Sequence, residues 1–146
     1  MKKELARIDA VGQAALVRSR QVKPSELVAA AIDRIEAAND RLNAVIHPAF
    51  ERALEHARKL DAAHTDFDEH SPPLVGVPFL MKDLGGQEAG RPFHMGVAAL
   101  KEAGWVEPVD SYLATRLRNA GVVSLGRTNT PELGLMPVTE PLAYGP

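Results

Sequence analysis

Between Asp110 and Gly126 the sequence changes its period once, and that change limits what the chain can fold into. Asp110 can cap a helix running through Asn119 with Leu113 and Leu117 facing inward, and Gly121 suits the left-handed residue that ends it. Val122-Val123-Ser124-Leu125-Gly126 then follows as a strand. Helix, tight glycine, strand in that order is an α/β signal. Val75 to Met81 is a mostly continuous apolar run, as in a strand buried on both faces. Pro78 would cost one ladder hydrogen bond and implies an edge or strand-end position.

The first half reads as helical. Leu5, Ile8, Val11, Ala15 and Leu16 recur at helical spacing, giving one amphipathic helix that ends near Ser19 and Arg20. A second starts around Lys23-Pro24-Ser25-Glu26 with Pro24 in the first turn and a poor N-cap, because Lys23 has no side-chain acceptor. Asn43 to His47 reads as a short strand or extended link, closed by Pro48. Phe50, Ala53, Leu54, Ala57 and Leu60 mark a third helix to about His64. Thr65 to Pro73 is an acidic surface loop, and Gly85, Gly86, Gly90 and Pro92 fall in a flexible one. Thr130-Pro131-Glu132-Leu133-Gly134 reads as one helical turn, capped by threonine and ended by glycine. The expected architecture is α/β: N-terminal helices over part of a mixed sheet, with residues 1–64 helical and residues 74–146 an α/β segment of the same domain.

Composition excludes several functions. With 45% hydrophobic and 25% charged residues the chain has the make-up of a soluble globular protein. A net charge of -2 and 5% aromatic residues lack the footprint of a nucleic-acid binder. The absence of cysteine removes disulfides and thiolate chemistry and fits a reducing compartment, so the expected location is cytoplasmic. No stretch approaches the ~20 apolar residues needed to cross a bilayer, so no membrane partner is expected.

Lys82 is the candidate catalytic residue. It ends the run Gly76-Val77-Pro78-Phe79-Leu80-Met81-Lys82-Asp83, where Val77, Phe79, Leu80 and Met81 would strip water from its ammonium group and favour the neutral amine, a base. Asp83 reads as structural, accepting backbone amides with its carboxylate turned away from Lys82. Thr128 and Asn129 divide evenly between a turn before a helix and a wall of a substrate channel, and neither reads as catalytic. Of the serines Ser19, Ser25, Ser71, Ser111 and Ser124, none lies in a G-x-S-x-G elbow. The histidines His47, His56, His64, His70 and His94 are scattered. His64 and His70 lie near Asp66, Asp68 and Glu69 but lack H-E-x-x-H spacing, so an acidic solvated loop is the better reading and no metal is assigned. The glycines match no nucleotide-binding pattern, and no cofactor is expected.

The Lys82 segment resembles the lysine motif of the amidase signature family, serine hydrolases with a Ser, cis-Ser, Lys triad. The run from Arg116 to Gly134, R-L-R-N-A-G-V-V-S-L-G-R-T-N-T-P-E-L-G, is similar to that family's R-L-R-x-A-G…G-K-T-N-x-P-E-F-G. The tail Thr139 to Gly145 adds to the likeness. The resemblance implies hydrolysis of a carboxamide C–N bond, with Lys82 as base, a bridging serine, a nucleophilic serine and a small-molecule amide substrate. In the family the bridging serine belongs to a glycine- and serine-rich stretch and the nucleophilic serine lies further on, and this chain contains neither. It therefore reads as the N-terminal part of an amidase, truncated and inactive alone, poorly soluble or prone to self-association, and compatible with a homo-oligomer. The stretch Gly85 to Gly96 departs from the threonine-rich pattern of many relatives. The block Met95 to Trp105 is closer to the subgroup containing 6-aminohexanoate cyclic-dimer hydrolase, which leans the substrate toward a small or cyclic amide. Two alternatives stand beside this reading: a non-catalytic relic or association module, and the A subunit of a tRNA-dependent amidotransferase.

Overall fold

Asp9 breaks what periodicity reads as one helix. In the computed structural model, which describes residues 2–63 and 67–146, α1 spans Lys2–Leu5 and α2 spans Ala10–Arg18. The Asp9 carboxylate accepts the Gly12 N–H at 2.8 Å, and Gln13 Nε2 donates to the Leu5 and Ile8 carbonyls. Cap and side chain satisfy the orphan groups of the break, so a short polar segment outcompetes a continuous helix.

Helix α3 is Pro24–Leu42, with proline in its first position as expected. Its start is better supplied than the sequence implies. Glu26 Oε2 accepts the Lys23 N–H at 2.8 Å, and Asp61 Oδ1 of α4 (Phe50–Ala62) accepts the Ser25 N–H at 3.0 Å. The reach-back of a glutamate three residues into the helix is half of a capping box.

The chain divides into two compact units. One comprises Met1–Ala37, Ala49–Phe79 and Leu117–Leu125; the other comprises Ala38–Pro48, Leu80–Arg116 and Gly126–Pro146. In the first, Leu5, Val17, Val22, Leu27, Ala30 and Val75 form a core against which Ile8, Leu16 and Phe67 pack. Burying each larger aliphatic side chain contributes roughly 1.5–3 kcal/mol. Gly121, with φ +91°, lets the chain pass Pro72 and Val75 where a Cβ has no room.

A mixed sheet has the order β1 (Val45–Pro48), β3 (Val123–Thr128), β2 (Pro78–Lys82). β1 and β3 are antiparallel, with His47 opposite Arg127 and Pro48 opposite Gly126. The Val123 N–H donates to Val77 O and the Asp83 N–H to Thr128 O, so β2 and β3 run the same way. Parallel neighbours require a crossover, which residues 83–122 supply through α5 (Ala98–Glu102) and α6 (Tyr112–Asn119).

Several expectations need correcting. The apolar run is not a strand buried on both faces: β2 starts at Pro78, and of its residues only Met81 is fully buried. Ser111, rather than Asp110, caps α6 through the Ala114 N–H, while Asp110 accepts the Ala89 N–H. Leu113 is exposed and Ala114 takes the inward position. The short α5 has no counterpart among the elements that periodicity predicts. After β3, Glu132–Gly134 forms a 3-10 turn preceded by Pro131; Thr130 does not cap it, and its buried Oγ1 has no partner among the described residues. Of the acidic loop, residues 67–73 are irregular; His64, Thr65 and Asp66 lie outside the described residues.

Candidate active site

The second unit brings the two motif blocks together. Lys82 is the last residue of β2, and the Asp83 amide that follows donates to Thr128 O at 3.0 Å at the end of β3. Asp83 and Arg127 are both fully buried and paired, Nε to Oδ1 at 3.2 Å. The Asp83 carboxylate also accepts the His94 N–H at 3.3 Å. Asp83 is therefore structural, as the sequence implies, and its charge is directed to Arg127. Burial pushes its pKa up, opposed by the His94 amide and the Arg127 cation.

Arg127 does more than neutralise Asp83. Its Nη2 donates to the carbonyls of Lys82 at 3.0 Å and Gly85 at 2.8 Å, its Nη1 donates to Gly86 O at 3.0 Å, and its guanidinium lies 4.9 Å from the Phe93 ring centre. Gly85 and Gly86 are consequently not in a loose loop. Lys82 itself departs from expectation in one respect. Its side chain is exposed, because the apolar residues before it lie along the strand and none of the described residues covers its far end.

A second network joins three residues far apart in sequence. His94 Nε2 faces Trp105 O at 3.1 Å, and a carbonyl only accepts, so Nε2 carries the proton and Nδ1 accepts from the Tyr144 hydroxyl. The Tyr144 oxygen in turn accepts from His47 Nε2 at 3.0 Å. Burial, followed by the charges of His94, Arg127, Arg91 and Lys101, lowers the His47 pKa to about 4. Burial and the Asp83 charge raise that of Tyr144 to about 12. His47 and Tyr144 are thus both neutral around pH 7.

These contacts also hold the tail. Asn43 Nδ2 donates to the carbonyls of Tyr144 at 2.7 Å and Pro146 at 3.0 Å, Asn129 Nδ2 donates to Gly145 O at 3.1 Å, and Lys101 Nζ donates to Ala143 O. Asn129 therefore acts here as a tether. The spacing of positions 47, 94 and 144 follows no local period, so nothing in the sequence marks them as a set. Among the described residues no cluster could hold a metal ion, and no helix is long and apolar enough to cross a membrane.

The protein-family model described as Amidase matches residues 26–146. The chain belongs to the amidase signature family. It is 42% identical over 137 residues to the 6-aminohexanoate-cyclic-dimer hydrolase of Paenarthrobacter ureafaciens, covering 94% of this chain and 26% of that protein. It is 37% identical over 143 residues to the A subunit of the glutamyl-tRNA(Gln) amidotransferase of Mycobacterium leprae, covering 98% of this chain and 28% of that protein. A solved 6-aminohexanoate cyclic dimer hydrolase superposes with TM-score 0.82 at 40% identity, over 94% of this chain and 26% of the other. A bacterial aryl acylamidase of the amidase signature family does so with TM-score 0.84 at 34% identity, over 95% and 28%. The chain thus spans about a quarter of the length of these amidase-family relatives, and their mixed α/β fold is the one seen here.

Proposed function

We propose that this chain supplies the lysine base of a Ser/cis-Ser/Lys amidase. The observation that carries the reading is the juxtaposition of the two motif blocks: Lys82 leaves the sheet where Asp83 is bonded to Thr128 and its own carbonyl is held by Arg127. An amine on so fixed a backbone can be presented to one hydroxyl repeatedly, as general-base catalysis requires.

In the proposed reaction the neutral Lys82 amine takes a proton from a bridging serine, which takes one from the nucleophilic serine as it attacks the amide carbonyl. The tetrahedral intermediate collapses as the C–N bond breaks, the amine product leaves with a proton, and water hydrolyses the acyl-enzyme. Both serines would come from residues outside this chain. Since Lys82 is exposed among the described residues, its desolvation would come from there too. The reading needs no cofactor, and the absence of cysteine supports a cytoplasmic location. The similarity to a cyclic-dimer hydrolase favours a small or cyclic amide as substrate.

A chimera tests this. Residues 1–146 would replace the matching segment of the Paenarthrobacter ureafaciens hydrolase, and hydrolysis of the cyclic dimer would be followed by amine release. Activity that falls at least ~1,000-fold on Lys82→Ala supports the reading, while full activity in that variant would falsify it. The similarity to one chain of an amidotransferase favours a second reading, in which the complete protein works with partner proteins. Glutamine-dependent transfer only in their presence would mark that case.

A further inference from the structure

We infer that Arg127 is a positioning residue for Lys82, and that the guanidinium group rather than positive charge alone is what the site requires. The inference rests on the amidase reading and deepens it. At this place the amidase run that the sequence resembles carries lysine, whereas this chain has Gly126-Arg127-Thr128-Asn129. A second departure is the stretch after the lysine motif, where Gly85-Gly86-Gln87-Glu88 replaces a threonine-rich pattern. The two departures meet in space. The carbonyls of Gly85 and Gly86 are two of the acceptors that Arg127 serves, and Glu88 Oε2 lies 3.7 Å from Nη1.

The geometry explains why they belong together. Gly86 has φ +61°, a conformation that favours glycine, and a Cβ there would press on the Met81 side chain, so glycine suits the turn that brings the carbonyls inward. Three backbone oxygens and one carboxylate oxygen then converge on a side chain with no solvent exposure. A planar fork of donors can reach four acceptors on different sides, but an ammonium point charge cannot. One of those acceptors is Lys82 O, so the guanidinium sets the peptide plane from which the catalytic side chain departs.

The test uses the chimera together with the 146-residue chain. Arg127→Lys keeps the charge facing Asp83 and removes the fork. Its kcat should fall about 10- to 100-fold with KM changed less than about threefold. Val28→Ala, in the core of the other unit, should lower Tm without lowering kcat at temperatures well below unfolding. A kcat within about twofold of the parent in Arg127→Lys, or an equal loss in Val28→Ala, overturns the inference. If Lys82→Ala abolishes activity and Arg127→Lys does not, the amidase reading survives and this inference alone fails. If Lys82→Ala is fully active, both fail. In the 146-residue chain, Arg127→Lys should shift the carbonyl 13C resonances of Lys82, Gly85 and Gly86; unchanged resonances there also overturn it.

Discussion

At the scale of single residues, burial moves the titration of His47 and of Tyr144 away from neutral pH. His47 shows the consequence for stability. Its folded pKa is lowered to about 4 from an ordinary 6.5, chiefly by burial and then by neighbouring positive charge. Between those values the unfolded chain binds a proton that the folded chain refuses, so stability must fall as pH drops from about 6.5 to about 4 and level off below. Because the ring is partly exposed, we expect a loss on the order of 2 kcal/mol. Urea unfolding at several pH values, compared with His47→Gln, measures it. Parallel pH profiles in the two proteins would contradict the assignment. Of this network the sequence revealed little. The place of Lys82 at a strand end was legible because it closes an apolar run, though its exposure was not, and Asp83 was legible because a carboxylate at that turn needs amides. His47, His94 and Tyr144 were not, since only tertiary folding brings positions 47, 94 and 144 together, with ring centres of His47 and Tyr144 5.3 Å apart.

At the scale of elements, the decisive position is Gly126, where β3 passes β1. Its φ is +139°, and a Cβ there would run into the His47 carbonyl oxygen, which is backbone and cannot swing aside. Gly126→Ala should therefore cost about 3 kcal/mol or more by forcing β1 away. It should also break the His47–Tyr144 hydrogen bond. Gly85 is the control: a Cβ there meets nothing within 4 Å, and Gly85→Ala should stay within about 0.5 kcal/mol. Chemical denaturation of both variants checks the contrast, and equal stabilities would remove the argument. Periodicity located α3, α4, α6 and β3 because each keeps one period over its length. It failed where side chains override period. Asp9 starts a new helix where the apolar spacing implies a continuous one, Ser111 takes the cap next to an equally suitable Asp110, and Pro78 delays a strand whose apolar run begins at Val75.

At the scale of the molecule, the distribution of apolar surface sets how this chain behaves in solution. Tyr112, Leu135, Met136 and Leu142 are exposed by 80, 76, 59 and 91%, and Trp105, Val109, Leu113, Leu133 and Val138 join them, all within one of the two units. Singly exposed apolar groups are ordinary, but many in one unit of a small domain mark surface that is stable only when covered. A net charge of -2 offers weak repulsion between copies, and the sheet leaves β1 and β2 as outer strands among the described residues. The 146-residue chain alone should therefore form oligomers that grow with concentration and should bind a hydrophobic dye. In the chimera, where the rest of an amidase accompanies it, both properties should diminish. Sedimentation velocity over a concentration series distinguishes the cases. A monodisperse monomer with one sharp unfolding transition would show that the exposed apolar groups are tolerated individually, and that the unit carrying Lys82 is a self-sufficient body instead of one face of a larger core.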